Sequence, residues 1–434
     1  MSEKAIEKTG QGLVILFIVI MFLRINSYFM VSESPAITRI FKTGLRSLLT
    51  GISFLMVIRM QQNSPFPTKF AYRNILAFLF YLNYLFLGIA SVMWSTDSGW
   101  SMLQLAMDFE CVFFVLFYWQ AYLVFRHQQR FTRPLHFGHI NWVSISLVCF
   151  YFLLGAIFNP DMFFRGTHGG EVQRLGGWVI NPNELGMLCV VGCGCLYAHM
   201  RIRGMSFWHI LAWIIMVVAL LLTQSRSSLV SFFLVTVYFV MVSGKPQLIL
   251  STMGAGALVA PIIFTTVFVK DGDVGEVASM TGRLPFWKDL LTYGFPERPI
   301  YGFGFMRIHY HLRFPSIHAF PGAMTHNTFM QLLLNLGILG AITCGMQVML
   351  TFRGFARERD REKFHLGIGI LIGVLINSFT EFGIFGDANY GIMYWLFLVM
   401  LFMLDTTDQK TAPKNYFFYV RRPTAKNGST SDHF

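Results

Sequence analysis

The stretch Asn74-Ile-Leu-Ala-Phe-Leu-Phe-Tyr-Leu-Asn-Tyr-Leu-Phe-Leu-Gly-Ile-Ala-Ser-Val-Met93 runs for 20 residues without a charged side chain. A helix needs roughly 20 apolar residues to cross a hydrocarbon core about 30 Å thick, so this segment reads as a membrane span. Outward from it, similar runs fall at 12–31, 44–58, 102–125, 140–158, 184–200, 207–222, 228–243, 248–269, 327–350, 366–381 and 390–404. Together they make about 12 spans in 434 residues. Composition agrees: 54% of the residues come from the set AVILMFWYC and 13% are charged, against about 25% charged in an ordinary soluble domain. A soluble globular enzyme is excluded. So is intrinsic disorder, because disordered chains lack the aromatic content that 46 phenylalanines supply. The expected fold class is an all-α integral membrane protein of about 12 transmembrane helices.

The net charge of +12 would point to nucleic acid in a soluble protein, but here the loop distribution of Lys and Arg carries the information. An even number of spans puts both ends on one side. That side holds Lys4, Lys8, Arg59, Lys69, Arg73, Arg126, Arg130, Arg133, Arg201, Arg203, Lys245, the run from Arg353 to Lys363 and the tail. The opposite loops are poorer, with Arg39, Lys42, Arg165, Arg174 and Arg226. Both termini are therefore expected in the cytoplasm, and no nucleic-acid partner is implied. The first span follows Lys4 and Lys8 but lacks a small-residue cleavage site, which marks it as an uncleaved helix. All six cysteines fall inside predicted spans without CxxC spacing and read as small fillers of helix interfaces.

No period of 20 to 50 residues recurs. Residues 1–404 read as one polytopic membrane domain and 405–434 as a polar, basic cytoplasmic tail. Residues 270–325, between the ninth and tenth spans, form the one long loop, which this topology places outside. Loops of that length are usually functional. Within it, Leu284 to Leu291 reads as a short helix with Phe286, Trp287, Leu290 and Leu291 on an apolar side, expected on the membrane surface. Gly302 and Gly304 then permit tight backbone geometry.

Charged side chains in a span cost about 2.5 to 3.5 kcal/mol each on insertion scales, so those that remain line a wet cavity or pair with one another. Arg24, Arg46, Asp108, Glu110 and Glu381 all fall toward the outer half of their predicted spans, and Glu184 and Arg226 join them there. Singly, each reads as an interfacial anchor or a structural ion pair; together they predict an outward-facing polar cavity roofed by the long loop. Arginine grips phosphate oxygens bidentately at any working pH, and histidine accepts a proton near neutrality. The settings Gln224-Ser-Arg226, Thr281-Gly-Arg283 and Thr325-His326-Asn327 therefore suit an anionic leaving group and an activated hydroxyl. Arg226 as an anchor and His326 as a helix-terminal hydrogen-bonding residue are the plainer alternatives. Although His309, His311, His318 and His326 crowd one loop, the sequence has no HExxH, and Asp271, Asp273 and Glu276 do not complete a calcium loop. No metal or other cofactor is expected.

The series Asn181-Pro-Asn-Glu-Leu-Gly186, Thr223-Gln-Ser-Arg-Ser-Ser228, Thr281-Gly-Arg-Leu-Pro-Phe-Trp287, Gly302-Phe-Gly304 and Thr325-His-Asn-Thr-Phe-Met-Gln-Leu-Leu-Leu-Asn-Leu-Gly-Ile-Leu-Gly340 resembles the O-antigen ligase and O-antigen polymerase superfamily in order and spacing. The motifs cover roughly residues 175–345, and the span layout with its long loop extends the likeness over the chain. The resemblance implies a bacterial inner-membrane glycosyltransferase of the C type. Such enzymes work on the periplasmic face without nucleotide sugar or metal, moving a glycan from an undecaprenyl diphosphate carrier to an acceptor hydroxyl. That acceptor is the lipid A core in ligases, another carrier-linked repeat in polymerases, and protein serine in other relatives. The family arginines map onto Arg226 and Arg283 and its loop histidine onto His326. Arg226 and Arg283 would hold the diphosphate, His326 would take the proton from the acceptor, and attack opposite the diphosphate would invert the anomeric centre. Glu184 and Asn327 are further candidates for binding substrate, with Asp108 and Glu110 behind them. The stretch from His309 to His318 matches nothing in the pattern.

Two other classes compete. A transporter or flippase of lipid-linked glycan also needs many spans, but transporters place ionisable groups near the midplane, not crowded on one face. A structural scaffold for an envelope assembly would need no reacting groups at all.

Overall fold

The computed structural model describes residues 3–62, 68–128, 135–167, 172–263, 283–305, 325–381, 383–386 and 388–406. Its helices are α1 (Glu3–Asn26), α2 (Pro35–Gln62), α3 (Ile75–Ser91), α4 (Ser98–Gln128), α5 (Phe137–Phe158), the short α6 (Pro160–Phe163), α7 (Pro182–Arg203), α8 (Phe207–Thr223), α9 (Arg226–Val242), α10 (Pro246–Ile263), the short α11 (Arg283–Asp289), α12 (Thr328–Arg357), α13 (Arg361–Ser378) and α14 (Tyr390–Met403). Every apolar stretch of the sequence overlaps one of the long helices. Five are both long and apolar enough to cross a membrane, namely those at Ala36–Gln62, Ser98–Gln128, Phe137–Phe158, Pro182–Arg203 and Thr328–Arg357. The protein is mostly helical and membrane-embedded.

Burial ranks the helices. Every residue of α14 is buried, which fits its unbroken apolar sequence: a helix hydrophobic all round belongs inside. The central part of α7 is 78% buried against 22% for α2, so α7 is interior and α2 peripheral. Small residues let α7 pack closely. A Cβ on Gly194 would lie 2.3 Å from the Gly369 carbonyl oxygen of α13, so the two backbones touch at a glycine pair. The six cysteines are buried, as filler residues should be.

Two small antiparallel pairs close opposite ends of the bundle. Strand β1 (Phe70–Tyr72) pairs with β4 (Leu404–Thr406) near the salt bridge from Lys363 to Asp405 at 2.5 Å. Strands β2 (Phe164–Thr167) and β3 (Val172–Leu175) form a hairpin at the other end, with Arg165 directly opposite Arg174. That second end is also where α7, α9 and α12 begin and where α8 and α13 stop. It gathers the charged residues considered below.

The short loop helix is present as α11, continued by a turn over Leu290–Gly294. Phe286 and Leu290 bury themselves with Phe303 and Leu334, while Trp287 packs alongside and Leu291 stays 43% exposed. Part of the apolar side thus docks on α12 in this small core. The glycine-rich segment explains the docking. Gly337 breaks α12 with φ 62° and ψ −157°, which frees carbonyls and amides on either side of the kink. The loop takes them up: Phe303 N donates to Leu334 O and Gly304 N to Asn335 O, both at 2.9 Å, while Ile338 N donates to Pro299 O at 2.9 Å. A Cβ on Gly302 would sit 2.5 Å from the Asn335 backbone, so this approach requires glycine.

Candidate functional site

The site is built from helix starts. Asn181 caps α7 by accepting from Asn183 N at 3.0 Å, and Pro182 occupies the first turn, where its missing N–H costs nothing. Asn327 caps α12, its side-chain oxygen accepting from Phe329 N at 2.9 Å and Met330 N at 3.0 Å. Gln224, in the left-handed region at φ 49°, ends α8 and turns the chain into α9, whose first residue is Arg226. His326 also holds a left-handed φ of 49°, a conformation that costs a side-chain-bearing residue of order 1 to 3 kcal/mol and therefore persists only under constraint.

The constraint is Glu381. Its Oε2 lies 2.9 Å from His326 Nδ1. Its Oε1 accepts from Asn183 Nδ2 at 2.6 Å and from Arg283 Nη2 at 3.2 Å. Arg283 also donates through Nη1 to the Thr380 carbonyl. Burial resists ionisation of Glu381, but the His326, Arg283 and Asn183 contacts outweigh it and pull the carboxyl down to about 2. An ionised carboxylate can only accept hydrogen bonds, so His326 Nδ1 carries a proton and Nε2 is the nitrogen open to a second one. Around it, Trp287 Nε1 donates to Thr325 O at 2.6 Å, Asn327 Nδ2 to Phe379 O at 3.2 Å, and Thr328 Oγ1 to Glu381 O at 3.2 Å. These bonds tie the short loop helix, the start of α12 and the end of α13 into one unit.

Arg174 extends the network. It donates to Asn183 Oδ1 at 2.6 Å and to the Thr223 carbonyl at 2.9 Å, the negative end of α8. Burial lowers its affinity for a proton, and the neighbouring Arg165, Arg283 and Arg226 guanidiniums lower it further. Glu381 opposes them, and the balance settles at about 10. Three other arginines therefore act on Arg174 here, with Glu381 opposing them.

Of the residues expected from sequence, His326 and Arg283 meet on Glu381, and Arg226 acts electrostatically on Arg174 beside them. Asn327 is present too, though its side chain is engaged in capping. Glu184 begins α7 beside Asn183, and its electrostatic partners include Lys42 and Tyr390. Asp108 and Glu110 belong elsewhere: Glu110 pairs with Arg24 at 2.7 Å, and Asp108 is buried near Tyr81 and Cys111. The span expected over 366–381 ends early, because α13 stops at Ser378. There Phe379 N and Thr380 N turn back to Ile376 O and Asn377 O, and Glu381, whose N still donates to Asn377 O at 2.8 Å, stands just past the helix end. Sequence reasoning noted Glu381 as an outer charge but missed its role; it also missed Arg174 and the side chain of Asn183. His309, His311 and His318 lie outside the described residues. Among those described, no group of three or more His, Cys, Asp or Glu side chains could hold a metal.

No curated protein sequence matches the chain. Residues 211–344 match the family model described as O-antigen ligase, a family of glycosyl-transferring enzymes. The matched segment contains Arg226, Arg283 and His326, whereas Arg174, Asn183 and Glu381 reach the same cluster from outside it. That match over part of the chain supports the resemblance to the O-antigen ligase and polymerase superfamily read from the sequence motifs.

Proposed function

We propose that the chain moves an undecaprenyl-diphosphate-linked glycan onto an acceptor hydroxyl at the periplasmic face of a bacterial inner membrane, with both termini in the cytoplasm. The acceptor is either the lipid A core or another carrier-linked glycan. Residues 1–404 would form the membrane domain and 405–434 a cytoplasmic tail. The observation that carries the reading is the Glu381 cluster, in which a carboxylate holds His326 by Nδ1 while arginine side chains gather beside it.

In this mechanism Arg226 and Arg283 bind the diphosphate, with Arg174 adding positive charge. The acceptor oxygen attacks the anomeric carbon and gives up its proton to His326 Nε2. The bond from the anomeric carbon to the diphosphate oxygen breaks, its electron pair leaves on the diphosphate, and attack from the opposite face inverts the centre. Charge grows on the leaving group as the arginines neutralise it, an electrostatic contribution made in a water-poor site. General-base catalysis of this kind contributes roughly 10² to 10⁴-fold. Glu381 keeps the imidazole in the required tautomer and stabilises the imidazolium that forms.

The test is reconstitution with a carrier-linked glycan and, separately, lipid A core, carrier-linked repeat and peptide acceptors, with chelator present. A product of increased size on a gel identifies the acceptor. His326→Ala and Arg283→Ala should lose turnover while remaining folded. Full activity of His326→Ala would remove the assigned base. Movement of the glycan across vesicles without covalent change would favour a transporter.

A further inference from the structure

A second charged cluster lies on α1, α2 and α4, away from the Glu381 network. Its first member is paired through both terminal nitrogens, leaving only Nε without an acceptor among the described residues. Arg24, wholly buried, forms a two-pronged bridge to Glu110 at 2.7 and 2.8 Å, and Thr50 donates to the same carboxylate at 2.5 Å. Arg24 also lies over the Phe114 ring at 4.4 Å. Arg46, one turn before Thr50 on α2, is treated differently. It is 2% exposed, and among the described residues nothing accepts a hydrogen bond from its Nε or Nη1. Its guanidinium lies 3.7 Å from the centroid of Tyr28, whose ring packs 4.5 Å from that of Tyr390. An aromatic face attracts a cation but cannot accept the in-plane N–H groups of a planar fork.

A buried guanidinium with open donors is costly in a span, and its geometry matches the oxygens of a phosphate or carboxylate. Lys42, one turn before Arg46 on α2, interacts electrostatically with both Arg46 and Glu184. Lys42 and Glu184 are half-buried, so the cluster reaches the surface, and Glu184 follows Asn183 of the first network directly in sequence. Two cationic regions thus flank the start of α7, one built around Glu381 and His326, the other around Arg46. A transferase that joins two lipid-borne glycans must seat both of them.

We propose that Arg46 and Lys42 form a second anion subsite that takes an acidic group, phosphate or carboxylate, of the acceptor glycolipid. The inference rests on the transferase reading above. It assigns the donor diphosphate to the arginines near Glu381 and the acceptor's own negative charge to α2.

The test is binding of phosphorylated and dephosphorylated lipid A core to the full chain in nanodiscs, measured without donor so that it stands apart from turnover. Wild type should bind the phosphorylated form more tightly. Arg46→Gln should weaken that binding by about 10- to 100-fold, the weight of one or two charge-assisted hydrogen bonds. Lys42→Gln should weaken it less, and Arg46→Lys should retain part of it. Neither change should alter binding of the dephosphorylated form or of the carrier-linked donor. Thermal unfolding checks that Arg46→Gln folds; if it does not, half-buried Lys42→Gln carries the comparison. Unchanged preference for the phosphorylated form in the folded variants overturns the proposal, as does equal competition by phosphatidylglycerol, which would mark a general lipid-headgroup site. Loss of transfer in His326→Ala with intact acceptor binding leaves the subsite standing. Acceptor binding without transfer in wild type would instead sink the transferase reading.

Discussion

Glu381→Gln keeps the shape of the side chain and removes its charge, so it isolates what the carboxylate does. In the wild-type protein Glu381 receives bonds from His326, Arg283 and Asn183, and these hold its carboxyl at about 2 instead of the usual 4.5. That depression is worth about 3 kcal/mol of preference for the charged over the neutral side chain at this buried position. Because the folded value lies below the unfolded one, the stabilisation is fully present above about pH 4.5 and is lost as pH falls through about 2. The variant should unfold more readily than wild type at pH 7 in detergent, and the gap should close as the pH is taken down through that window. A neutral amide also no longer compels His326 Nδ1 to carry the proton. Turnover should fall by roughly 10² to 10⁴-fold, the range found when the carboxylate behind a catalytic histidine is replaced by an amide. The transfer assay on a gel measures this, with Glu381→Asp expected to recover part of the rate. If His326→Ala is inactive while Glu381→Gln transfers glycan at the wild-type rate, the carboxylate does not orient the imidazole and the reasoning is wrong.

Gly337→Ala should destabilise by about 1 to 3 kcal/mol from its positive φ alone, with further loss because the new Cβ would lie 2.4 Å from the Ile300 carbonyl; denaturant unfolding reads the change. Gly194→Val should force α7 off α13 and reach the upper end of the roughly 1 to 3 kcal/mol cost of overpacking, since the Gly369 backbone is 2.3 Å from the site of the added carbon. A thermal midpoint equal to wild type would show that the helices separate freely. Asn183→Ala removes both the donor to Glu381 and the acceptor of Arg174. It should cost about 1 to 3 kcal/mol for the donors left without partners and weaken donor-lipid binding, both measurable in the same detergent preparation.

Hydropathy located the helices because crossing a bilayer imposes one strong demand on each segment. The entry to the tenth span was equally legible: Thr325-His326-Asn327 leads into a helix, with Asn327 as its cap. Pairing across the chain was not. The outer charges read as a single cavity, yet the structure sorts them into two groups. Arg24 and Glu110 lock together 86 positions apart, while His326 and Glu381 meet across 55. No local pattern encodes which arginine a carboxylate will choose, because the choice depends on which helices neighbour one another. Glu381 illustrates the limit best. Counted as the last residue of a span, it was read as an intramembrane charge; the turn after Ser378 makes it the partner of a loop histidine.

The same cluster shows why one carboxylate stands among several guanidiniums. Arg165, Arg226 and Arg283 act on Arg174 with like charge, and after burial they lower its proton affinity further. Helix starts at Pro182, Arg226 and Thr328 bring the positive ends of three macrodipoles to the same end of the bundle. Without a bound anion such an arrangement would repel itself. Glu381 offsets part of that charge but takes it at the imidazole side, through a fixed set of partners, so an excess remains beside it. In the proposed reaction, a site left positive in this way would favour the diphosphate more strongly as the leaving bond breaks and its charge concentrates. A fully balanced set of ion pairs would offer no such bias. The carboxylate binds Arg283 directly and Arg174 through Asn183, and in the proposed reaction the remaining charge would act on the leaving group.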